Sequence, residues 1–254
     1  MTRLLAPAKL TLTLSVTGVR ADGYHELRSE MVSLDLCDEL MVEPGEGLIV
    51  AAEAGSRADD LGTGPGNLIN RALALVGVRA AVTVRKRIPV GGGLGGGSTD
   101  AGAVLRWAGW ADLEAAASLG ADVPFCVLGG RALVEGIGER VTPLPFEARQ
   151  FVLCVPPFEV DTARVYTAWD ARPAHQGPNE LTAAALVVEP RLAQWRDALG
   201  QLCGVEPVLA GSGSTWFAEG GPAEAGTAEL AWVFSGSERA RVLRVHTVPS
   251  GWDG

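Results

Sequence analysis

The chain has 254 residues, 47% of them hydrophobic, and a formal net charge of -9, with a sequence pI near 4.9 and mean hydropathy +0.19. That composition can bury a core and carries the wrong charge for a phosphate backbone, which sets aside intrinsic disorder and nucleic-acid binding. Pro7 and Lys9 break the first apolar run and no stretch of about eighteen uncharged apolar residues occurs, so neither a secretory leader nor a membrane helix is expected, and the reading is a cytoplasmic protein.

Residues 9–17, KLTLTLSVT, alternate: Leu10, Leu12, Leu14 and Val16 against Thr11, Thr13, Ser15 and Thr17. The period of two predicts a half-buried strand with Lys9 and Thr11 on its polar face. Gly18 to Gly23 predict a turn, and further strands are expected over 30–36, 40–42 and, after Gly45 to Gly47, over 48–52. Residues 53–66 read as a polar surface loop. Asn67 to Val76 predict a helix with Leu68, Ala72 and Leu75 on one face. A strand over 81–84 leads through Lys86, Arg87 and Ile88 into PVGGGLGGGSTD at 89–100. Ser98 is expected to cap a helix from Thr99 to about Trp107.

A short helix is expected over 113–119, then GADVPF at 120–125 and a strand over 131–135. Pro143 and Pro145 mark a break. Beyond it the pattern predicts strands at 151–155, 208–210, 215–218 and 242–248, helices at 162–169 and 192–202, and a second glycine loop, GSGS, at 211–214. Strands and helices mix without regular βαβ alternation, so the class read is α+β. Cys37, Cys126, Cys154 and Cys203 form no CxxC pair and read as buried thiols. His25, His175 and His246 lie far apart, which argues against a structural zinc.

Four explanations compete for the run of six glycines. A flexible linker fits its composition. The P-loop pattern fails, because no lysine precedes Ser98. Gly91, Gly93 and Gly96 satisfy GxGxxG, but so dense a run matches it almost by default, and no parallel-sheet pattern surrounds it. The fourth is a loop whose bare N–H groups, together with a helix N-terminus, hold a triphosphate.

The run PVGGGLGGGST resembles the second motif of the GHMP kinases, the superfamily of galactokinase and of homoserine, mevalonate and phosphomevalonate kinases. Ala6-Pro7-Ala8-Lys9-Leu10 is similar to the first motif, and Gly211-Ser212-Gly213-Ser214 to the third. TGVRADGYHEL at 17–27 and GADVPF resemble the branch acting on 4-diphosphocytidyl-2-C-methyl-D-erythritol. The blocks run in order from residue 6 to about 215.

The resemblance implies a two-lobed α+β fold, with an N-terminal ATP-binding lobe at 1–145 and a smaller, ferredoxin-like C-terminal lobe at 146–254. It implies ATP-dependent phosphorylation of the 2-hydroxyl of the cytidyl substrate, in non-mevalonate isoprenoid precursor synthesis. ATP and Mg2+ are the cofactors implied. A monomer or homodimer is expected, with a small-molecule substrate and no nucleic-acid or membrane partner. Other GHMP substrates of the homoserine or mevalonate type, or a non-catalytic nucleotide-binding relative, remain alternatives.

Residue by residue, the resemblance places Lys9 and Asp122 at the reacting hydroxyl. Asp122 would take the proton and Lys9 would stabilise charge on the reacting oxygens. Pro89, Val90, Gly91, Gly92, Gly93, Leu94, Gly95, Gly96, Gly97, Ser98 and Thr99 would form the nucleotide loop, with Asn67 and Lys86 at the adenine. Ser98 is the candidate metal ligand. Tyr24 and Tyr166 would flank the cytosine and His25 would read its edge, with Thr11, Thr162, Gly211 and Gly213 completing the substrate side. Read alone, Asp122 and Asn67 could be helix caps, Lys86 half of a solvated pair with Arg87, and Tyr166 a packing residue. Thr11 stands where the family usually has asparagine. Asp100 is read as serving the helix dipole, with a part in holding magnesium as the alternative.

Overall fold

The computed structural model describes residues 1–52, 61–220, 229–235 and 238–252. Most of the polar loop expected over 53–66 thus lies outside the described residues.

Two long antiparallel strands, β1 (Thr2–Val19) and β2 (His25–Glu43), form the spine. The sequence reading split β2 in two around Cys37-Asp38-Glu39. The strand in fact runs straight through, because Asp38 finds its partners inside the protein and the polar interruption marks no turn. β1 also starts earlier than expected, since Thr2 to Pro7 pair with Val42 to Cys37.

The length of β2 lets one strand serve several neighbours. Residues 39–43 pair with β4 (Ala81–Lys86), and 27–32 with β5 (Arg131–Gly136). Between them Ser33 and Leu34 meet the end of β11 (Glu238–Val248), which carries the sheet into the C-terminal lobe. β3 (Gly47–Ala52) lies parallel to β4 at one edge, and β6 (Arg140–Pro143), a strand the pattern did not reveal, pairs with β5.

In the C-terminal lobe, β7 (Gln150–Val155) sits between β11 and β9 (Trp216–Glu219), and β8 (Val208–Leu209) lies outside β9, all antiparallel. This is the strand order of a ferredoxin-like unit. The first crossover holds three helices: α5 (Thr162–Ala171), α6 (Thr182–Val188) and α7 (Leu192–Cys203). α6 was not foreseen. Among the described residues the second crossover holds a further unforeseen strand, β10 (Glu229–Ser235), paired with β11.

Helices α1 (Leu68–Val76), α2 (Gly96–Trp107), α3 (Leu113–Ala117) and α4 (Val123–Leu128) belong to the N-terminal lobe. α1, α2 and α4 contribute Ile69, Val104 and Val123 to a core with Leu40, Val82 and Val84 of the strands. A second core lies under the C-terminal helices around Trp169, Trp195 and Trp216. A third joins the lobes, with Leu10 and Leu34 from one side and Phe151, Leu153 and Phe217 from the other. Cys37, Cys126 and Cys154 are buried free thiols, and burial pushes those of Cys126 and Cys154 up to about 12.

The seating of α2 against α4 depends on Gly102. A Cβ there would come within 2.7 Å of the carbonyl carbon, oxygen and Cβ of Cys126. Alanine would raise helix propensity by about 1 kcal/mol, but overpacking against backbone costs about 1–3 kcal/mol. Gly102→Ala is therefore expected to lower Tm by several degrees in a thermal melt, despite the better helix former.

Candidate active site

Lys9 sits on β1 beside a register shift between Pro7 and Lys9. The face expected to be polar is covered: Lys9 and Thr11 are 6% and 2% exposed. The Lys9 backbone N–H donates to the Leu94 carbonyl at 3.0 Å, and its stem lies against Gly95. Its ammonium reaches Asp122 Oδ2 at 3.2 Å and Thr11 Oγ1 at 3.3 Å. Thr11 thus supports Lys9, whatever else it contacts.

Asp122 occupies the N-cap position of α4 but makes no side-chain capping bond. The helix starts instead with proline in its first turn, where a missing N–H costs nothing. The carboxylate is left to face Lys9, and about 29% of its side chain is exposed. A capping acid would spend its oxygens on backbone N–H groups; this one makes no such bond and turns Oδ2 to Lys9.

The glycine loop has two faces. One lines a cleft of about 510 Å³ with Asn67, Leu68, Pro89 and Val90 around its rim. The other packs on protein. A Cβ on Gly93 would lie 2.5 Å from the Gly213 carbonyl, one on Gly95 2.6 Å from the Lys9 stem, and one on Gly91 2.0 Å from Glu159. All three have positive φ, between 73° and 77°. Leu94 buries its side chain in the core between the lobes, 1% exposed. Of the assigned nucleotide contacts, Leu94 therefore offers backbone only; its side chain is the loop's anchor.

Helix α2 begins at Gly96, with Gly95 as its N-cap, and not at a Ser98 cap. A left-handed glycine can turn the chain into the helix without a side-chain bond. Ser98 instead falls in the first turn, half-buried, with its hydroxyl 3.9 Å from where a Gly120 Cβ would stand. Thr99 is buried, and its hydroxyl donates to the Pro7 carbonyl. That side chain ties α2 to β1 and is not available to a nucleotide. Asn67 caps α1, accepting from the Ile69 N–H at 2.9 Å, and lines the cleft as well.

Lys86 is no solvated partner of Arg87. It is 4% exposed and bonds both Asp38 and Asp100, the latter at 2.6 Å. Burial opposes the Lys86 charge, but Asp100 and Asp38 outweigh it and raise its pKa. Burial likewise pushes the Asp100 carboxyl up, against the pull of Lys86. Asp100 is thus part of a buried ion cluster on the cleft floor, a correction to its reading as a helix-dipole residue. Asp38 carried no sequence signal of function, because only the fold brings β2 beside the exit of β4.

On the C-terminal side, Thr162 begins α5 and its hydroxyl meets that of Ser212 at 2.8 Å, closing the helix start onto the 211–214 loop. Gly211 and Gly213 have φ of 63° and 102°, which only glycine adopts readily. Asn179, which the sequence reading missed, is 2% exposed and donates to the carbonyls of Leu209 and Gly211 at 2.8 and 2.7 Å. It pins the loop, and an asparagine in an otherwise ordinary turn gives no warning of that.

His25 stacks on Tyr166, with ring centroids 4.6 Å apart at 29°, and its Nε2 lies 2.7 Å from Asp170. Burial raises the Tyr166 pKa, and the nearby Asp122 charge adds to it. Tyr24 stands in the exposed β1–β2 turn, 63% exposed. Tyr166 and His25 are therefore brought together, while Tyr24 is exposed in its turn.

No group of three or more His, Cys, Asp and Glu among the described residues could hold a metal ion. At the α2 N-terminus the Ser98 hydroxyl is an oxygen donor for a cation, while the bare N–H groups suit phosphate oxygens. That set fits a magnesium carried in by phosphate oxygens and water, with little help from protein carboxylates. No helix among the described residues is long and apolar enough to cross a membrane.

Residues 67–130 match the family model of the GHMP kinases N terminal domain. The chain is 34% identical to the 4-diphosphocytidyl-2-C-methyl-D-erythritol kinase of Rhodopseudomonas palustris, over 84% of this chain and 86% of that one. Against the enzyme of the same name from Paracoccus denitrificans it is 38% identical, over 90% and 92% of the two chains. A solved structure of 4-(cytidine 5'-diphospho)-2C-methyl-D-erythritol kinase superposes with a TM-score of 0.68 at 35% identity, covering 85% of this chain and 89% of that one.

Proposed function

The chain belongs to the GHMP kinases and, within them, to the 4-diphosphocytidyl-2-C-methyl-D-erythritol kinases, and on that premise we propose how its residues carry out the transfer. The reaction is phosphorylation of the 2-hydroxyl of 4-diphosphocytidyl-2-C-methyl-D-erythritol, with ATP as donor. The observation that carries the reading is the Asp122 carboxylate, at a helix start it does not cap and facing Lys9 across 3.2 Å.

The nucleotide would lie in the cleft, its adenine end toward Asn67 and its phosphates against Gly92, Gly96 and Gly97. The α2 N-terminus supports such an anion with oriented N–H groups. Ser98 and the phosphate oxygens would hold magnesium, which would supply charge neutralisation. The cytidyl substrate would enter from the side of His25, Tyr166 and Thr162, with its 2-hydroxyl between Asp122 and the phosphates. Asp122 accepts the hydroxyl proton as the oxygen bonds to the γ-phosphorus and the bond to the ADP oxygen breaks. Lys9 holds Asp122 in place and stabilises charge on the transferring oxygens. We place Tyr24 at the substrate side as well, where its exposed turn could fold over the base.

We further propose a lobe boundary near residue 145, in the stretch between Pro143 and Gln150 where no strand runs. The end of the chain crosses back over it: the Ser250 hydroxyl donates to the Leu128 carbonyl at 2.6 Å.

The test is ADP release by the purified protein with ATP and Mg2+, with and without the cytidyl substrate, homoserine or mevalonate. Release that requires the cytidyl substrate is the expected outcome. Release with homoserine or mevalonate alone would leave the fold and discard the substrate.

A further inference from the structure

The cleft floor holds a group that touches neither the nucleotide space nor the reacting atoms. Asp38 is fully buried in the middle of β2, opposite Ala6 of β1. One oxygen, Oδ1, accepts from the backbone N–H groups of Arg87 and of Ile88, the latter at 2.9 Å. The other, Oδ2, accepts from the Lys86 ammonium.

The placement of those bonds matters. β4 ends at Lys86. Its ladder with β2 has Arg85 opposite Glu39 as its last pair. The next two residues have left the sheet but remain close to the core, Ile88 being 2% exposed. Their N–H groups need acceptors, because an unpaired buried donor costs about 1–3 kcal/mol. Asp38 supplies both, and so fixes the point where the chain enters the glycine loop.

Its second oxygen reaches the other end of the loop. A Cβ on Gly96 would stand 3.3 Å from Lys86 Nζ and 3.6 Å from Asp38 Oδ2. The ion cluster therefore lies directly beneath the first residue of α2. One carboxylate braces the strand end that enters the loop and, through Lys86, the helix start that leaves it.

We infer that Asp38 is a positioning residue for the nucleotide: it sets the entry and exit of the glycine loop so that the loop's N–H groups and the α2 N-terminus converge on one anion. This rests on the nucleotide lying in that cleft. It also assigns Lys86 a role beneath the loop, since its ammonium is already held by two carboxylates.

The test compares wild type, Asp38→Ala and Asp38→Asn in the full chain. Each is titrated calorimetrically with a non-hydrolysable ATP analogue plus magnesium, and separately with the cytidyl substrate. Asp38→Ala removes both tethers and is expected to weaken the analogue about tenfold, leaving the cytidyl substrate within about twofold. Asp38→Asn keeps an oxygen for the two N–H groups and is expected to recover about half of that loss, to about threefold below wild type. Should the alanine variant not fold, the asparagine variant decides: selective weakening of the analogue supports the role.

Equal weakening of both ligands, or no weakening of the analogue, overturns it. If wild type binds the cytidyl substrate but not the analogue, the functional reading of the cleft fails and the inference goes with it. That result is distinct from a null effect of the variants.

Discussion

Asp122→Asn is expected to lower kcat about a thousandfold while leaving the fold and both ligand affinities nearly intact. The choice of asparagine makes the experiment decisive. Asparagine caps a helix as well as aspartate does, so if Asp122 served α4 alone the variant would be active. It makes no capping bond here, so Tm should hardly move. What asparagine cannot do is accept a proton. A general base contributes about 10²–10⁴ in rate, and the expected loss lies in the middle of that range. The amide also loses its charge toward Lys9, 3.2 Å away, and that ammonium would turn to the phosphate oxygens. Nucleotide binding should therefore hold while turnover collapses. Measured kcat, the two dissociation constants and a thermal melt together check the prediction. Retention of more than a tenth of wild-type turnover would remove Asp122 from the proton-transfer step.

Much of this arrangement was legible in the chain before any coordinates. The two glycine loops, the strand carrying Lys9 and the Asp-Val-Pro start of α4 are local patterns, and local patterns survive in sequence. Period-two alternation gave the strand around Leu10, but not which of its faces was open. The threonine face looked polar, yet Lys9 and Thr11 are covered, the Lys9 stem by Gly95 and both side-chain tips by the 211–214 loop, which comes from far away in the chain.

The same limit hid Asp38. A buried aspartate in a strand reads as a break, and it stops being one only when Lys86 arrives from another strand. Ser98 was misplaced for a different reason. It has the chemistry of a cap, but Gly95 can adopt the left-handed turn that starts the helix earlier, and the backbone took that route. The strands β6 and β10 lacked the clean alternation that marks a half-buried surface, β6 showing little burial along its length. His25 and Tyr166 are assigned to one pocket by resemblance, and their rings meet; Tyr24 is exposed in the turn between β1 and β2.

The repeated glycines raise the question of which ones the phosphate requires and which ones the protein requires. At Gly93 the answer is the protein. A Cβ there would stand 2.5 Å from the Gly213 carbonyl oxygen and 3.2 Å from that of Ala210, both backbone atoms that cannot swing aside. Its φ of 77° adds strain for any side chain. The neighbouring bond from Thr215 N–H to the Gly92 carbonyl, at 3.3 Å, holds the same two loops together.

Gly93→Ala must therefore separate the nucleotide loop from the 211–214 loop. The left-handed backbone costs about 1–2 kcal/mol, and relieving the overlap about 1–3 kcal/mol more. If the ligand-binding arrangement bears most of that, nucleotide affinity falls about a hundredfold. Because a Cβ on Gly211 would lie within 4 Å of the Lys9 ammonium and the Thr11 hydroxyl, the substrate side moves too, and kcat should fall with it. Gly97→Ala is the control, since a Cβ there meets only a Leu68 methyl at 3.5 Å; its φ is ordinary for a helix start, and any loss it shows reports the phosphate itself. A Gly93→Ala protein that binds nucleotide as tightly as wild type would mean that the two loops open independently, and that closeness at this point does not serve the reaction.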